Sequence, residues 1–174
     1  MDEQEKIIGV HSGKCFFAAD PRGSFHKIFS LTGVDFPIFK EAYLSISHAN
    51  VIRGMHFQAP PYAVDKLVTI LSGTALDVIF DMRKNSPTYR QIASFILREE
   101  EHSFVFIPAG CAHGFLAYED HTTLLYHVTQ PYAPAFDSGI RFDSFEFQWP
   151  LSEQPILSER DLLMPPFNES NNPF

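Results

Sequence analysis

Short runs in which apolar and polar residues alternate, or in which apolar residues follow one another, recur along most of the chain. They occupy residues 14–19, 27–31, 42–47, 51–58, 67–71, 75–82, 91–97, 103–107, 114–118 and 123–129. A period of two marks a strand with one face on a core. Turn chemistry separates the runs: Asp20-Pro-Arg-Gly23, Ala59-Pro-Pro61, Ser72-Gly73, Asn85-Ser-Pro87 and Pro108-Ala-Gly110. Ser72-Gly73 predicts a tight hairpin between the runs on either side of it. About ten short strands predict an all-β sandwich or barrel. No stretch carries a long helical period, but Ser158-Glu-Arg-Asp161 reads as a capping box opening a short C-terminal helix. Beyond Trp149-Pro150 the chain turns Pro-rich and polar, and residues 166–174 are expected to be a loosely ordered tail.

Composition narrows this picture. A length of 174 residues predicts one domain, 1–174, with room for a sizeable core. The 18 Phe and 13 Pro together favour strands broken by many loops. Lys and Arg number 13 against 21 Asp and Glu, a net charge of -8, which argues against non-specific attraction to nucleic acid or anionic membranes. The start is charged and no apolar run is long enough to span a bilayer, so a cytoplasmic protein is expected. Cys15 and Cys111 fit neither a disulfide framework nor a zinc spacing and read as packing residues.

Several positions then stand out chemically. In Arg53-Gly-Met-His-Phe-Gln58, alternation puts Gly54, His56 and Gln58 on one strand face and Arg53, Met55 and Phe57 on the other. A bulge at Gly54 would turn Arg53 inward as well. His56 is either a hydrogen-bonded interior histidine or a base. Lys66 is either a solvated strand end or a cation in the same cavity, where it must meet an anion. Asp77 and Asp81 share a face that is solvent-exposed on the plainer reading, preferred for Asp81, while Asp77 can instead orient an imidazole such as His113. Tyr126 is core packing or a proton donor in a dry cavity. Asp161 caps a helix, holds His56 in its basic tautomer, or both. Pro108-x-Gly110-x-x-His113 resembles a cupin signature, yet the matching first signature reads His56-Phe-Gln58, leaving too few ligands for a catalytic divalent ion. No metal and no cofactor are therefore expected.

Taken together the motifs resemble the dTDP-4-dehydrorhamnose 3,5-epimerases and related enzymes on nucleotide 4-keto sugars. The likeness runs from Asp20-Pro-Arg-Gly23 with Phe25, through Arg53–Gln58, Lys66-Leu-Val68, Asp77, Asp81-Met-Arg83, Ser86-Pro-Thr-Tyr89 and His113-Gly-Phe115. It continues through Tyr126, Tyr132-Ala-Pro134, Gly139-Ile140 and Trp149-Pro150 to Leu157-Ser-Glu-Arg-Asp161. The resemblance implies a cupin-type jelly roll, a homodimer formed by strand exchange, and an isomerase of deoxysugar and polysaccharide or O-antigen biosynthesis that needs no cofactor. It also implies His56 as base, Asp161 as its partner, Tyr126 as acid, and Lys66 and Arg53 near the substrate oxygens. Arg22 and Phe25 would reach the nucleotide in the other subunit, with Tyr132 on the nucleobase, Gln58 in the binding site, and His113 and Asp77 as a supporting pair.

The chain departs from the family where Lys27, Glu41 and Tyr43 replace the usual Glu, Gln and Asn near the nucleotide and sugar. Lys27 can only donate a hydrogen bond, so a CDP- or GDP-linked sugar stands beside the dTDP-linked one. The alternatives are an epimerase of C3 or C5 alone, a metal-dependent cupin enzyme and a catalytically silent sugar-binding cupin.

Overall fold

The computed structural model describes residues 6–29 and 38–174. Its strands are β1 (His11–Lys14), β2 (Phe16–Asp20), β3 (Gly23–Lys27), β4 (Glu41–Ser47), β5 (Ile52–Gln58) and β6 (Lys66–Ser72). They continue as β7 (Thr74–Asp81), β8 (Ile92–Arg98), β9 (Ser103–Ile107), β10 (Cys111–Ala117), β11 (Thr122–Val128) and β12 (Asp137–Gly139), followed by the short helix α1 (Glu159–Leu162). One sheet runs β1-β9-β6-β11-β4, the other β12-β5-β10-β7-β8, and β2 pairs with β3 alone. The pairings between these strands are antiparallel, giving the expected jelly roll.

Two apolar layers hold it. Between the sheets lie Val68, Ile70, Ile79, Phe95, Leu97, Val105, Phe115 and Leu124. The outer face of the second sheet carries Ile52, Met55, Leu76, Val78, Phe80 and Leu116, packed against Phe142, Phe145, Phe147, Trp149, Phe167 and Phe174 of the C-terminal stretch. Each layer removes large aromatic and aliphatic side chains from water, the main force favouring the folded state.

Three expectations are corrected here, two of them by this double burial. The face of β7 that bears Asp77 and Asp81 is turned to the barrel interior rather than to solvent, because the C-terminal stretch covers the opposite face. Asp81 is fully buried and accepts hydrogen bonds from Arg83, Ser86 and Thr88. The expected loose tail is also packed: Asn172 is buried and donates to the Met82 carbonyl, and Phe174 packs edge-on against Phe57. The run predicted at 27–31 is instead β3, which begins at Gly23, and its last two residues lie outside the described ones.

The predicted hairpin β6–β7 turns at Gly73 with a φ of 78°. The predicted helix is α1, and the Ser158 hydroxyl accepts the Asp161 N–H at 3.0 Å as a capping box requires. Strand β12 had no sequence signal, being three residues long after Pro-rich loop chemistry.

Candidate active site

At one end of the barrel the two sheets part around a cavity of about 430 Å³. His56, Gln58 and Arg53 reach it from β5, although strict alternation would send Arg53 outward. The reason is a bulge: His113 faces His56 and Phe115 faces Arg53, so β5 spends three residues where β10 spends two. Gly54 makes this feasible. Its φ is 130°, and a Cβ there would lie 2.5 Å from the Gly114 Cα and 2.9 Å from the His113 carbonyl oxygen. Arg53 then donates from Nε to Ser47 at 3.0 Å.

His56 lies 2.6 Å through Nε2 from Oδ1 of Asp161, which α1 carries back under β5. A carboxylate can only accept, so Nε2 bears the hydrogen, and in the neutral imidazole Nδ1 keeps a lone pair. Burial alone would raise the Asp161 pKa, but the bond and charge of His56, with the Gly54 N–H and Ser158, bring it below the usual carboxylate range.

Lys66 points inward from β6, its Nζ donating to the His56 carbonyl at 3.1 Å. Burial pushes its pKa down to about 8, opposed by the Asp77 and Asp137 carboxylates. Behind it, His113 Nε2 meets Asp77 at 2.7 Å, both groups buried. Burial drives the His113 pKa down against the pull of Asp77, which favours the neutral imidazole. Tyr126 projects from β11 on the opposite sheet, and its burial lifts its pKa well above the ordinary phenol, keeping it protonated.

The remaining predicted residues divide into two sets. Glu41, Tyr43, Gln58 and Tyr132 line the cavity. Gln58 spends its amide on two loops, donating to the Tyr62 carbonyl after β5 and to the Pro131 carbonyl beside Tyr132, and accepting the Ala133 N–H at 2.7 Å. Tyr132 is exposed, with its N–H on Glu41 and its hydroxyl on Asp137. Arg22, Phe25 and Lys27, by contrast, lie on the exposed hairpin β2–β3 and do not line this chain's cavity. There Arg22 forks onto Asp20 and the Lys27 ammonium lies over the Phe16 ring.

Sequence reasoning missed Asp137 and Arg160, which pair at 2.8 Å on the rim, and Ser45 and Gln130 on the wall. Arg160 could have been found beside Asp161 in the capping box. Asp137 had no local signal. Among the described residues no three His, Cys, Asp or Glu side chains converge as a metal-binding group. Among them too, no helix is long and apolar enough to cross a membrane.

The cavity therefore brings together a carboxylate-supported imidazole from one sheet with a protonated phenol and a buried ammonium from the other. Known proteins carry the same arrangement of sheets. The Bacillus anthracis dTDP-4-dehydrorhamnose 3,5-epimerase, solved with TDP and PPi bound, superposes with a TM-score of 0.85 at 33% identity, covering 92% of this chain and 98% of its own. A 3'-monoepimerase from Streptomyces bikiniensis, solved with dTDP-quinovose, gives a TM-score of 0.83 at 30% identity, covering 91% of this chain and 84% of that one. A curated dTDP-4-dehydrorhamnose 3,5-epimerase from Methanothermobacter thermautotrophicus is 38% identical over 160 residues, spanning 87% of this chain and 85% of the relative. The dTDP-4-dehydrorhamnose 3,5-epimerase family model matches residues 4–169, and with the fold in agreement this chain belongs to that family.

Proposed function

We propose that this protein is an isomerase that inverts C3, C5 or both in a nucleotide-linked 4-keto-6-deoxy sugar, by proton removal and return beside the C4 ketone and without a cofactor. The observation that carries this reading is the placement of His56, backed by Asp161, and Tyr126 on opposite sheets of one cavity. A hydrogen next to a ketone becomes removable because the enolate places its charge on oxygen, where the Lys66 ammonium can receive it. Nδ1 of His56 takes the proton. Tyr126 then returns one to the opposite face of the carbon, and the centre is inverted. Arg53, Lys66 and Arg160 offer cationic groups to an anionic nucleotide in an otherwise acidic chain.

The exposed hairpin β2–β3, with Phe16, Phe17 and Phe25 open to solvent, supports a homodimer in which Arg22 and Phe25 complete the cavity of a second copy. Family membership supports a dTDP-linked substrate. Lys27, a donor only, keeps CDP- and GDP-linked sugars as a second reading. Incubation with the three 4-keto-6-deoxy sugars in heavy water, followed by NMR, reads which nucleotide is accepted and which carbons exchange. Exchange at C3 or C5 that disappears in His56→Asn is the expected result; exchange undiminished in that variant overturns the assignment of the base.

A further inference from the structure

We infer that Tyr43 is a positioning residue for the proton donor: its ring, stacked on Tyr126, holds that phenol aimed across the cavity toward His56. The inference rests on the reading of His56 as base and Tyr126 as acid given above.

Tyr43 and Tyr126 are direct partners across the antiparallel pair β4–β11, both turned inward. Side chains so placed start close enough for rings to meet. Their centroids are 4.8 Å apart with planes 14° from parallel. On its other side Tyr126 meets His113 at 6.1 Å and 63°, and His113 is itself fixed by Asp77. The phenol hydroxyl, by contrast, makes no well-aligned hydrogen bond to the described residues. Ser45 Oγ lies beside it, two positions along β4, but has no aligned partner. The phenol oxygen lies on the Cβ–Cγ axis, so turning about that bond, a broad torsion, leaves it in place and redirects only the O–H, which stays near the ring plane; the rings packed on Tyr126 therefore set the plane in which its proton is offered. His113 touches it near-edge-on, and Tyr43 covers its face.

Direction matters because the enolate can be protonated from either side. Return from His56 regenerates the starting epimer, labelled if the proton has exchanged with solvent. Delivery from Tyr126 gives the inverted one. Loosening the phenol shifts this partition without hindering proton removal.

The test measures, in heavy water, deuterium entering recovered starting sugar and formation of inverted product, for wild type, Tyr43→Phe, Tyr43→Leu and Tyr43→Asn. The ratio of inversion to exchange is expected to fall roughly 2- to 10-fold in the Leu and Asn variants, the range an aromatic pair accounts for. It should hold in Tyr43→Phe, which keeps the ring. A ratio unchanged in Leu and Asn, or a loss in Tyr43→Phe equal to theirs, overturns the inference. Failure of the underlying reading looks different: Tyr126→Phe would invert as well as wild type.

Discussion

His56 shares its Nε2 hydrogen with a buried carboxylate at 2.6 Å, and that contact decides which ring nitrogen can act. Asp161→Asn keeps the shape but replaces the charge and permits the wrong tautomer; the rate of solvent exchange should fall about 100-fold or more, as loss of a positioned base does. Lys66 sets a second dependence. In the proposed reaction its ammonium meets the enolate oxygen, so kcat/KM should decline as pH rises through about 8. The limb should vanish from the residual activity of Lys66→Met. Stability moves the other way: folding lowers this pKa from 10.5 to about 8, so the buried ammonium opposes folding below about 8 and the penalty is relieved as pH climbs between those values. Legibility at this scale followed chemistry. His56, Lys66, Tyr126 and Asp161 are residue types whose roles can be weighed one by one, whereas Asp137 becomes visible only where β12 meets the Arg160 side chain.

Two elements place these groups, and each has a weak point that can be tested. The bulge in β5 exists because Gly54 and Gly114 approach without side chains. Gly54→Ala combines an unfavourable φ with a backbone clash, and should cost about 2–4 kcal/mol in urea unfolding while withdrawing Arg53 from the cavity. Helix α1 is one turn long and depends on its cap. Ser158→Ala should reduce stability by about 1 kcal/mol. Its larger effect should be on kcat, because the turn that frays is the one presenting Asp161 to His56. The capping box was readable as a pattern of residue types, and so was the chance of a bulge at Gly54. What alternation could not reveal was the sense of β7, because both of its faces are covered.

At the scale of the molecule, the C-terminal stretch acts as a lid on the second sheet, with Phe167 and Phe174 seated against its outer layer. Deleting residues 166–174 should therefore lower the thermal midpoint markedly and expose dye-binding apolar surface, whereas removal of a frayed end would do neither. The hairpin β2–β3 makes the opposite case, an element with its apolar residues outward. If it serves a second copy, sedimentation should give twice 19.8 kDa, and Phe25→Ala should raise KM with the fold unchanged. A monomer with an unaltered KM would remove the proposed cross-subunit contribution.

Alternating hydrophobicity and turn residues were enough to establish an all-β chain, most strand positions and the short capped helix, since these depend on neighbours a few residues apart. The motifs singled out His56, Asp161 and Tyr126, the groups proposed as base, its carboxylate partner and acid. Which face of a doubly covered strand looks into the barrel, how the last residues pack, and how Tyr43 comes to lie on Tyr126 were settled only when distant segments met. Those outcomes depend on what lies across the sheet or over it, and a periodicity along one strand carries no information about that.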